Sequence, residues 1–351
     1  MIYLNNAATS FPKAPAVPAA VGDALSAPPP SSLRSNAPGE DVMTGLRKAL
    51  GALFHIADWE RIFFASSATD AVNRVLAGLE VRSVQAGPEN HNSVLRPLMN
   101  GVLRVDPAGN GPSLHIVNHC SNVTGEIRDP GELRYALEPG TLLMVDAAQS
   151  AGCLPLDVDG WGIDILVFTG HKALLGPTGT GGYYVRRGIP LRPAQFGGTG
   201  RDSRVLKYAE GDWEYEVGTP DSAGLAGLKA GVDYVLEQGV DRICAREGEL
   251  TRRMVEGLQG IPRVRLYLPQ AGDQGPVVSF NIDGLMPADV GYILQNSFGI
   301  TVRTGLHCAP LVHRLIGTDP HGTVRASLGA FNTAADVDAL CDAVREISAS
   351  L

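Results

Sequence analysis

Short apolar runs alternate with helical or turn-rich stretches between Arg61 and Val185. A short continuous apolar run bounded by turn residues is typical of a strand that is buried on both faces. Strands that alternate with helices in this way indicate a mainly parallel sheet with helices on both sides. The pattern therefore predicts an α/β fold. The runs are Arg61–Phe64, Leu114–Val117, Leu142–Val145 and Ile165–Phe168.

The chain has 351 residues, more than one hydrophobic core usually serves, so we expect two domains. A helix predicted over Ala223–Glu237 is followed by mixed helical and strand-like stretches, which favour a small α+β domain. We expect a large domain over residues 15–225 and a small domain formed by residues 1–14 and 226–351. The later stretches are Arg246–Leu258, Val277–Ile282, Pro287–Gln295 and Ala334–Ile347.

Composition argues against several classes of partner. Charged residues make up 19% of the chain, the net charge is -8, and no block of like charges suggests a nucleic acid or membrane partner. The first residues, Met1–Asn6, do not form a basic segment followed by an apolar one, so we expect a cytoplasmic protein. The 5 cysteines are widely spaced, which fits neither a disulfide framework nor a zinc site, so we expect no metal.

Two charged residues follow predicted strands directly. Lys172 comes shortly after Ile165–Phe168, and Asp146 ends the run Leu142–Val145. Open α/β sheets bind ligands at the carboxyl ends of their strands. A lysine and an aspartate there suit a pyridine cofactor, because the carboxylate can hold a proton on the ring nitrogen. Taken singly, the lysine also fits a solvated surface and the aspartate a helix cap.

The stretch Ala65–Thr69 consists of small residues between a predicted strand and a predicted helix over Thr69–Leu79. Free backbone amides at the start of a helix favour an anion, and a phosphate suits this position. The alternative is a simple capping turn. The glycine-rich stretch Gly176–Gly182 precedes a strand-like run rather than a helix, so we do not predict a phosphate loop there.

These segments, in their order along the chain, resemble the class V aminotransferase group of pyridoxal phosphate (PLP) enzymes, and specifically its cysteine desulfurases. The resemblance runs nearly from end to end. It implies PLP as cofactor, the type I fold of PLP-dependent transferases, and a mainly parallel, seven-stranded sheet in the large domain. The matching segments are Tyr3–Thr9, His91–Pro97, Ser121–Gly125, Thr169–Lys172, Gly197–Gly200, Gly218–Pro220, Arg303–Pro310 and Arg325–Leu328.

The resemblance also implies roles for single residues. Lys172 corresponds to the lysine that carries the cofactor, and Asp146 to the partner of its ring nitrogen. Thr199 corresponds to a threonine that reaches the phosphate of the neighbouring subunit, which implies a homodimer. The remaining cofactor contacts implied are His91 on the ring, Gln149 and Asn122 near the ring hydroxyl, and Ala68, Thr69, Thr169 and His171 at the phosphate.

Cys308 decides the chemistry that the resemblance implies. A thiolate beside the cofactor can attack the sulfur of a bound cysteine, which leaves a persulfide on the enzyme and yields alanine. The compact segment around Cys308 resembles desulfurases that pass this sulfur to an acceptor protein. Arg325 corresponds to the residue that holds the substrate carboxylate through two parallel hydrogen bonds, with a structural ion pair as the alternative. Arg303 and Asn122 are further expected substrate contacts.

Some positions depart from the family pattern. Asn5 stands where relatives often have aspartate, Asn90 where glutamate usually precedes the histidine, and Ser67 where glycine often lies. The chain is also shorter than expected between residues 96 and 115, and Ser35–Gly39 replaces a stretch rich in arginine and histidine. The role of His91 stays open between proton transfer and ring stacking alone.

Desulfuration has alternatives that fit parts of the same pattern. A selenocysteine lyase, or a lyase that cleaves the carbon–sulfur bond of cysteine or cystine, uses the same scaffold and differs in its need for Cys308. A PLP-binding protein without catalysis, acting as a scaffold, is the more distant alternative. It does not require Lys172, Asp146, Cys308 and Arg325 together.

Overall fold

The computed structural model describes residues 1–28, 41–199, 204–209, 211 and 213–351. The stretch Ser35–Gly39, noted above for its departure from the family pattern, lies outside these residues. Within the described ranges, no helix is both long and apolar enough to cross a membrane.

The regular elements confirm the predicted alternation of strands and helices. The strand predicted over Val277–Ile282 has these bounds, and each predicted helix is present near its expected ends, except that the helix expected to begin at Arg246 begins at Val240. The helices are α1 (Val17–Ser26), α2 (Val42–Phe54), α3 (Ala68–Gly78), α4 (Asn92–Met99), α5 (Pro130–Ala136), α6 (Ser222–Gln238), α7 (Val240–Gln259), α8 (Pro287–Phe298), α9 (Pro310–Leu315) and α10 (Ala334–Ala349). The strands are β1 (Ile2–Tyr3), β2 (Ile62–Ala65), β3 (Glu80–Val81), β4 (Ser83–Ala86), β5 (Arg104–Val105), β6 (Ser113–Asn118), β7 (Leu142–Asp146), β8 (Ile165–Thr169), β9 (Gly181–Val185), β10 (Val264–Tyr267), β11 (Val277–Ile282), β12 (Ile300–Thr301), β13 (Arg303–Gly305) and β14 (Thr323–Ser327).

The larger sheet has the strand order β2-β9-β8-β7-β6-β4. Strands β4, β6, β7 and β8 pair in parallel, whereas β9 is antiparallel to both of its neighbours. The expected α/β fold with a mainly parallel sheet is therefore confirmed. The central strands β7 and β8 are buried along their whole length, as their uninterrupted apolar runs predicted.

The expected seventh strand is not a full member of this sheet, which has 6 strands in the described part of the chain. A two-residue strand, β5, takes its place and pairs only with β3, just before β4. The Val81 carbonyl accepts from the Asp106 N–H, while the Arg82 N–H donates to Pro112, next to β6. The Val81 carbonyl and the Arg82 N–H belong to one trans peptide, so they point in opposite directions. β5 therefore lies on the side of this segment that faces away from β6, outside the edge of the larger sheet.

Both faces of the larger sheet are covered. On β7, Leu143 and Val145 contact one hydrophobic core, and Leu142 and Met144 contact another. Successive side chains of a strand point to opposite faces, so this alternation places one core on each side of the sheet. Helices α1, α2 and α6 contribute to the first core, and α3 and α4 to the second.

A second, antiparallel sheet has the order β10-β11-β14-β13 and packs against α7, α8 and α10 around a third core. This arrangement agrees with the α+β organisation expected near the C-terminus. The expected domain boundary at residue 225 falls inside α6, and Leu228 and Val232 of that helix lie in a core of the larger sheet. The division into 15–225 and 1–14 with 226–351 stays a prediction.

The N-terminal segment ties the two sheets together at the site. Asn6 Nδ2 donates to the Ser327 carbonyl at 3.1 Å and to Asn332 Oδ1 at 3.0 Å. A few residues further on, Thr9 Oγ1 and Lys13 Nζ donate to the His171 carbonyl at 3.0 and 2.8 Å. The segment therefore links β14 to the loop that carries Lys172.

We predict that Asn6→Ala lowers the free energy of unfolding by about 1–3 kcal/mol, because it leaves buried hydrogen-bonding groups without partners. The matched control is Asn296→Ala, whose exposed amide donates only within its own helix, to Tyr292. That control should change stability by less than about 0.5 kcal/mol. Urea denaturation followed by circular dichroism measures both, and equal midpoints for the two variants would contradict the assignment.

Candidate active site

Three neighbouring strands of the larger sheet end at the site. Asn118 ends β6, Asp146 ends β7 and Thr169 ends β8, and Asn118 lies directly opposite Asp146 in the parallel register. Lys172 lies in the turn after β8. The carboxyl ends of parallel strands share one edge of a sheet, which is where ligands bind in open α/β folds.

These strand ends line an open cavity of about 720 Å³. That volume includes the open solvent at the mouth of the cavity. Most of the residues predicted for the site line this cavity. Those in the first part of the chain are Ala68, Thr69, His91, Asn122, Asp146 and Gln149. The others are Thr169, His171, Lys172, Arg303 and Arg325.

Sequence reasoning missed several lining residues, among them Asn118, Ser93 and His307. Asn118 carried the same signal as Asp146, a polar residue at the end of an apolar run, and could have been found. Ala7 and Ala8 carry no chemical signal and belong to the wall only because the N-terminal segment folds over the sheet edge.

Burial governs the charges of Lys172 and Asp146. Burial lowers the pKa of Lys172 to about 8, against the opposing attraction of Asp146, and Arg325 and Arg303 lower it further. Asp146 is 2% exposed, and burial raises the pKa of its carboxyl. The Ala148 N–H, which donates to Asp146 Oδ1 at 3.0 Å, and the charge of Lys172 counter that rise. The amine can lose its proton near neutral pH, as a nucleophilic lysine must.

The start of α3 forms the part of the wall expected to hold a phosphate. Ser67 caps this helix by accepting from the Asp70 N–H at 3.1 Å. Asp70 in turn pairs with Arg74 at 2.8 Å, which offsets its negative charge. The first N–H groups of a helix have no partner within it, and Ala68 and Thr69, the first two residues of α3, line the cavity. The wall there favours an anion.

His91 enters the cavity as a neutral ring. It caps α4, and its Nδ1 accepts from the Ser93 N–H at 3.0 Å. A ring nitrogen that accepts cannot carry a proton, so the proton of the neutral ring is on Nε2. Burial, followed by the charges of Lys172 and Arg303, lowers the pKa of His91 to about 4. His91 can therefore donate from Nε2 near neutral pH, but it does not hold a second proton.

Arg325 is the most unusual group in the cavity wall. The residue is 1% exposed, and its Nη1 donates to the Asn122 carbonyl at 2.9 Å. Its Nε and Nη2 atoms are buried without a hydrogen-bond partner among the described residues. A buried unpaired guanidinium edge is costly. Two adjacent N–H groups match a carboxylate, which accepts two parallel bonds. The alternative of a structural ion pair fails, because no acidic side chain contacts Arg325 in the described part of the chain.

Cys308 does not itself line the cavity, but it lies one side chain away. Arg303 Nη2 contacts Cys308 Sγ at 3.5 Å, and Arg303 is part of the wall. The Cys308 carbonyl accepts from the Asn92 N–H at 2.9 Å, which fixes the cysteine beside the first turn of α4. The thiol is half-buried, whereas Cys120, Cys153 and Cys341 are buried.

The remaining positions noted in the sequence are Thr199 and those that depart from the family pattern. Thr199 is half-buried and is not among the residues that line the cavity of its own chain. Its expected contact with a neighbouring subunit stays a prediction. Of the departures from the family pattern, Asn90 is fully buried and its amide donates to the Gly87 carbonyl at 3.1 Å. Asn5 Oδ1 is buried and has no hydrogen-bond partner within the described ranges.

Comparison with known proteins agrees with this geometry. The family model described as aminotransferase class-V matches residues 108–340. A probable cysteine desulfurase of Pyrococcus abyssi is 34% identical over 84% of this chain and 80% of its own. A cysteine desulfurase of Salmonella agona is 31% identical over 87% of this chain and 82% of its own.

A solved structure shows the same relationship in three dimensions. The apo structure of the cysteine desulfurase from Thermococcus onnurineus NA1 superposes with a TM-score of 0.86 at 31% identity, over 100% of this chain and 95% of that one. The chain therefore belongs to the aminotransferase class-V family, whose enzymes in general depend on PLP, and within that family to the cysteine desulfurases.

Proposed function

We propose that this protein is a PLP-dependent cysteine desulfurase that converts L-cysteine to L-alanine and passes the sulfur to Cys308. One observation carries the proposal. The buried edge of Arg325, unpaired and ready for a carboxylate, lines the same cavity as Lys172, with Cys308 one side chain away. The reaction requires three groups around one amino acid: a guanidinium that binds its carboxylate (Arg325), an amine (Lys172) and a thiol (Cys308).

The cavity fits PLP by its chemistry. The start of α3 offers free N–H groups for the phosphate, with Thr169 and His171 beside them. His171 Nδ1 and Asn122 Oδ1 are buried and have no hydrogen-bond partner among the residues that the structure describes, so the wall has polar atoms available for a ligand. Asp146 would contact the ring nitrogen, Gln149 and Asn122 the ring hydroxyl region, and His91 the ring face. When bound, PLP withdraws electrons from the α carbon of an amino acid.

The substrate carboxylate would bind Nε and Nη2 of Arg325. Arg303 and Asn122 line the same cavity and complete the expected substrate contacts. Arg325 keeps its charge near neutral pH, although burial and the nearby Arg303 lower its pKa to about 9. Two guanidinium groups in one wall select an anionic group and orient the amino acid with its side chain free to reach Cys308.

Lys172 Nζ acts as the general base that takes the proton from the α carbon. Its lowered pKa of about 8 leaves part of the amine unprotonated at neutral pH, as a general base requires. His91 is neutral and can donate a hydrogen bond from Nε2, so its part is orientation or donation rather than proton storage.

Cys308 Sγ then attacks the sulfur of the substrate. The new S–S bond forms as the Cβ–S bond of the substrate breaks, and the electron pair of the broken bond goes to the carbon side. That carbon takes up a proton and becomes the methyl group of alanine. L-cysteine and the thiol of Cys308 thus give L-alanine and a persulfide, with no external oxidant or reductant.

The proposal extends to two partners. A homodimer would bring Thr199, which lies outside its own cavity, to the phosphate of the neighbouring subunit. An acceptor protein would take the sulfur from Cys308, which is half-buried and lies in the turn after a short strand, β13. A selenocysteine lyase or a carbon–sulfur lyase is not favoured, because the relatives are named cysteine desulfurases.

Lys172→Ala should lose the visible absorbance that PLP acquires on linkage to a lysine, because no other amine in the wall can replace it. The control is Lys229→Ala, a surface lysine paired with Asp233 at 2.6 Å, which should keep the absorbance. Absorption spectra of the purified proteins with added PLP measure this. A Lys172→Ala protein with the normal spectrum would refute the cofactor assignment.

Cys308→Ala should keep that absorbance and lose the formation of both alanine and sulfide from L-cysteine. The assay contains dithiothreitol, which releases sulfide from the persulfide, and the wild type should give equal amounts of the two products. Cys244→Ala, which also removes a half-buried thiol, should remain active. Pyruvate and ammonia as products, or turnover without Cys308, would instead indicate a lyase.

A further inference from the structure

The turn that carries Cys308 has an uncommon backbone. His307 has a φ of 47° and Cys308 a φ of 59°, so two consecutive residues with side chains lie in the left-handed region. Residues other than glycine rarely adopt this region, because their Cβ atoms crowd the backbone. Such a conformation persists only where surrounding contacts hold it. The contacts around His307 and Cys308 are therefore informative.

Backbone contacts hold this turn from two sides. Asn122 Nδ2 donates to the His307 carbonyl at 2.5 Å, and the Asn92 N–H donates to the Cys308 carbonyl at 2.9 Å. Asn122 is the residue whose own carbonyl accepts from Arg325. The turn is thus joined to the arginine that is expected to hold the substrate.

The imidazole of His307 provides a third contact. It is 2% exposed, and its Nε2 lies 3.0 Å from Thr323 Oγ1. Thr323 and Arg325 are two positions apart on β14, so their side chains share one face of the strand. His307 therefore connects the cysteine turn to the strand face that carries Arg325, both through its backbone and through its side chain.

We propose that His307 is a positioning residue, which holds the Cys308 turn in its left-handed conformation and so keeps Sγ beside Arg303 and the substrate. This inference rests on the proposed function of Cys308. His307 does not act as an acid or base, since burial and the charge of Arg325 lower the pKa of its ring to about 2. Its contribution is geometric, because Cys308 Sγ must approach the substrate sulfur in line with the Cβ–S bond that breaks.

The structure offers a matched comparison in a second buried histidine. His313 is fully buried on α9, and its Nδ1 lies 2.7 Å from Thr318 Oγ1. The two rings are 5.5 Å apart between centroids. Thr323→Val and Thr318→Val each replace a histidine's hydroxyl partner by a side chain of nearly the same shape. Thr323→Val removes the hydroxyl partner of the histidine that precedes the cysteine, whereas Thr318→Val removes that of His313.

The test compares these two variants as holoenzymes loaded with PLP. Thr323→Val should keep the absorbance of the lysine-linked cofactor and the KM for L-cysteine, and form the Cys308 persulfide about ten to a hundred times more slowly. Thr318→Val should match the wild type in all three. Rapid-quench measurement of alanine in a single turnover gives the rate. A wild-type rate for Thr323→Val, or an equal loss in both variants, would overturn the proposal.

A second pair keeps the proposal testable should Thr323→Val not fold. His307→Asn and His307→Val both remove the imidazole, but asparagine tolerates the left-handed region and a β-branched residue does not. Persulfide formation should be faster in His307→Asn, and equal rates would count against positioning through the backbone. Absence of alanine with the wild type itself would refute the proposed function rather than the role of His307.

Discussion

The hydrogen bond from Arg325 to the Asn122 carbonyl joins the two sheets at the point where the site lies. Arg325 belongs to β14 of the smaller sheet, and Asn122 follows β6 of the larger one. Ser279 Oγ strengthens the same junction by donating to the Val123 carbonyl at 2.6 Å. Because the bond to the Asn122 carbonyl uses one edge of the Arg325 guanidinium, it leaves the other edge free and fixes the direction in which that edge points. The position of Arg325, the proposed carboxylate anchor, relative to Lys172 depends on the bond to Asn122.

The wall of the cavity has a consistent charge pattern. Arg303 and Arg325 supply fixed positive charge, and these charges together with burial keep His91 and His307 neutral. The same cations help to lower the pKa of Lys172. A site arranged in this way attracts the carboxylate of an amino acid and keeps an amine available as nucleophile and base. Asp146, at the carboxyl end of β7, is the acidic group that suits a protonated ring nitrogen.

Much of this arrangement follows from local sequence. The strand ends predicted the positions of Asp146 and Lys172, because the end of a buried apolar run marks the edge of a parallel sheet. The functions of Cys308, Arg325 and His91 came from the resemblance to a family, since each lies outside such a run or in a different sheet. The contacts of Asn122 with residues 307 and 325 join parts of the chain far apart in sequence. No local pattern encodes such contacts, and for the same reason His307 was not predicted. In the described part of the chain the larger sheet has 6 strands, one fewer than the resemblance implied, and β5 pairs only with β3.

The most direct test of this account is to locate the sulfur after one turnover. The holoenzyme would be mixed with one equivalent of L-cysteine without reductant, alkylated, digested and examined by mass spectrometry. We predict one additional sulfur atom on the peptide that contains Cys308, formed at the rate at which alanine appears. Alanine formation with no added sulfur on that peptide, or with the sulfur on Cys120, Cys153, Cys244 or Cys341, would contradict the account.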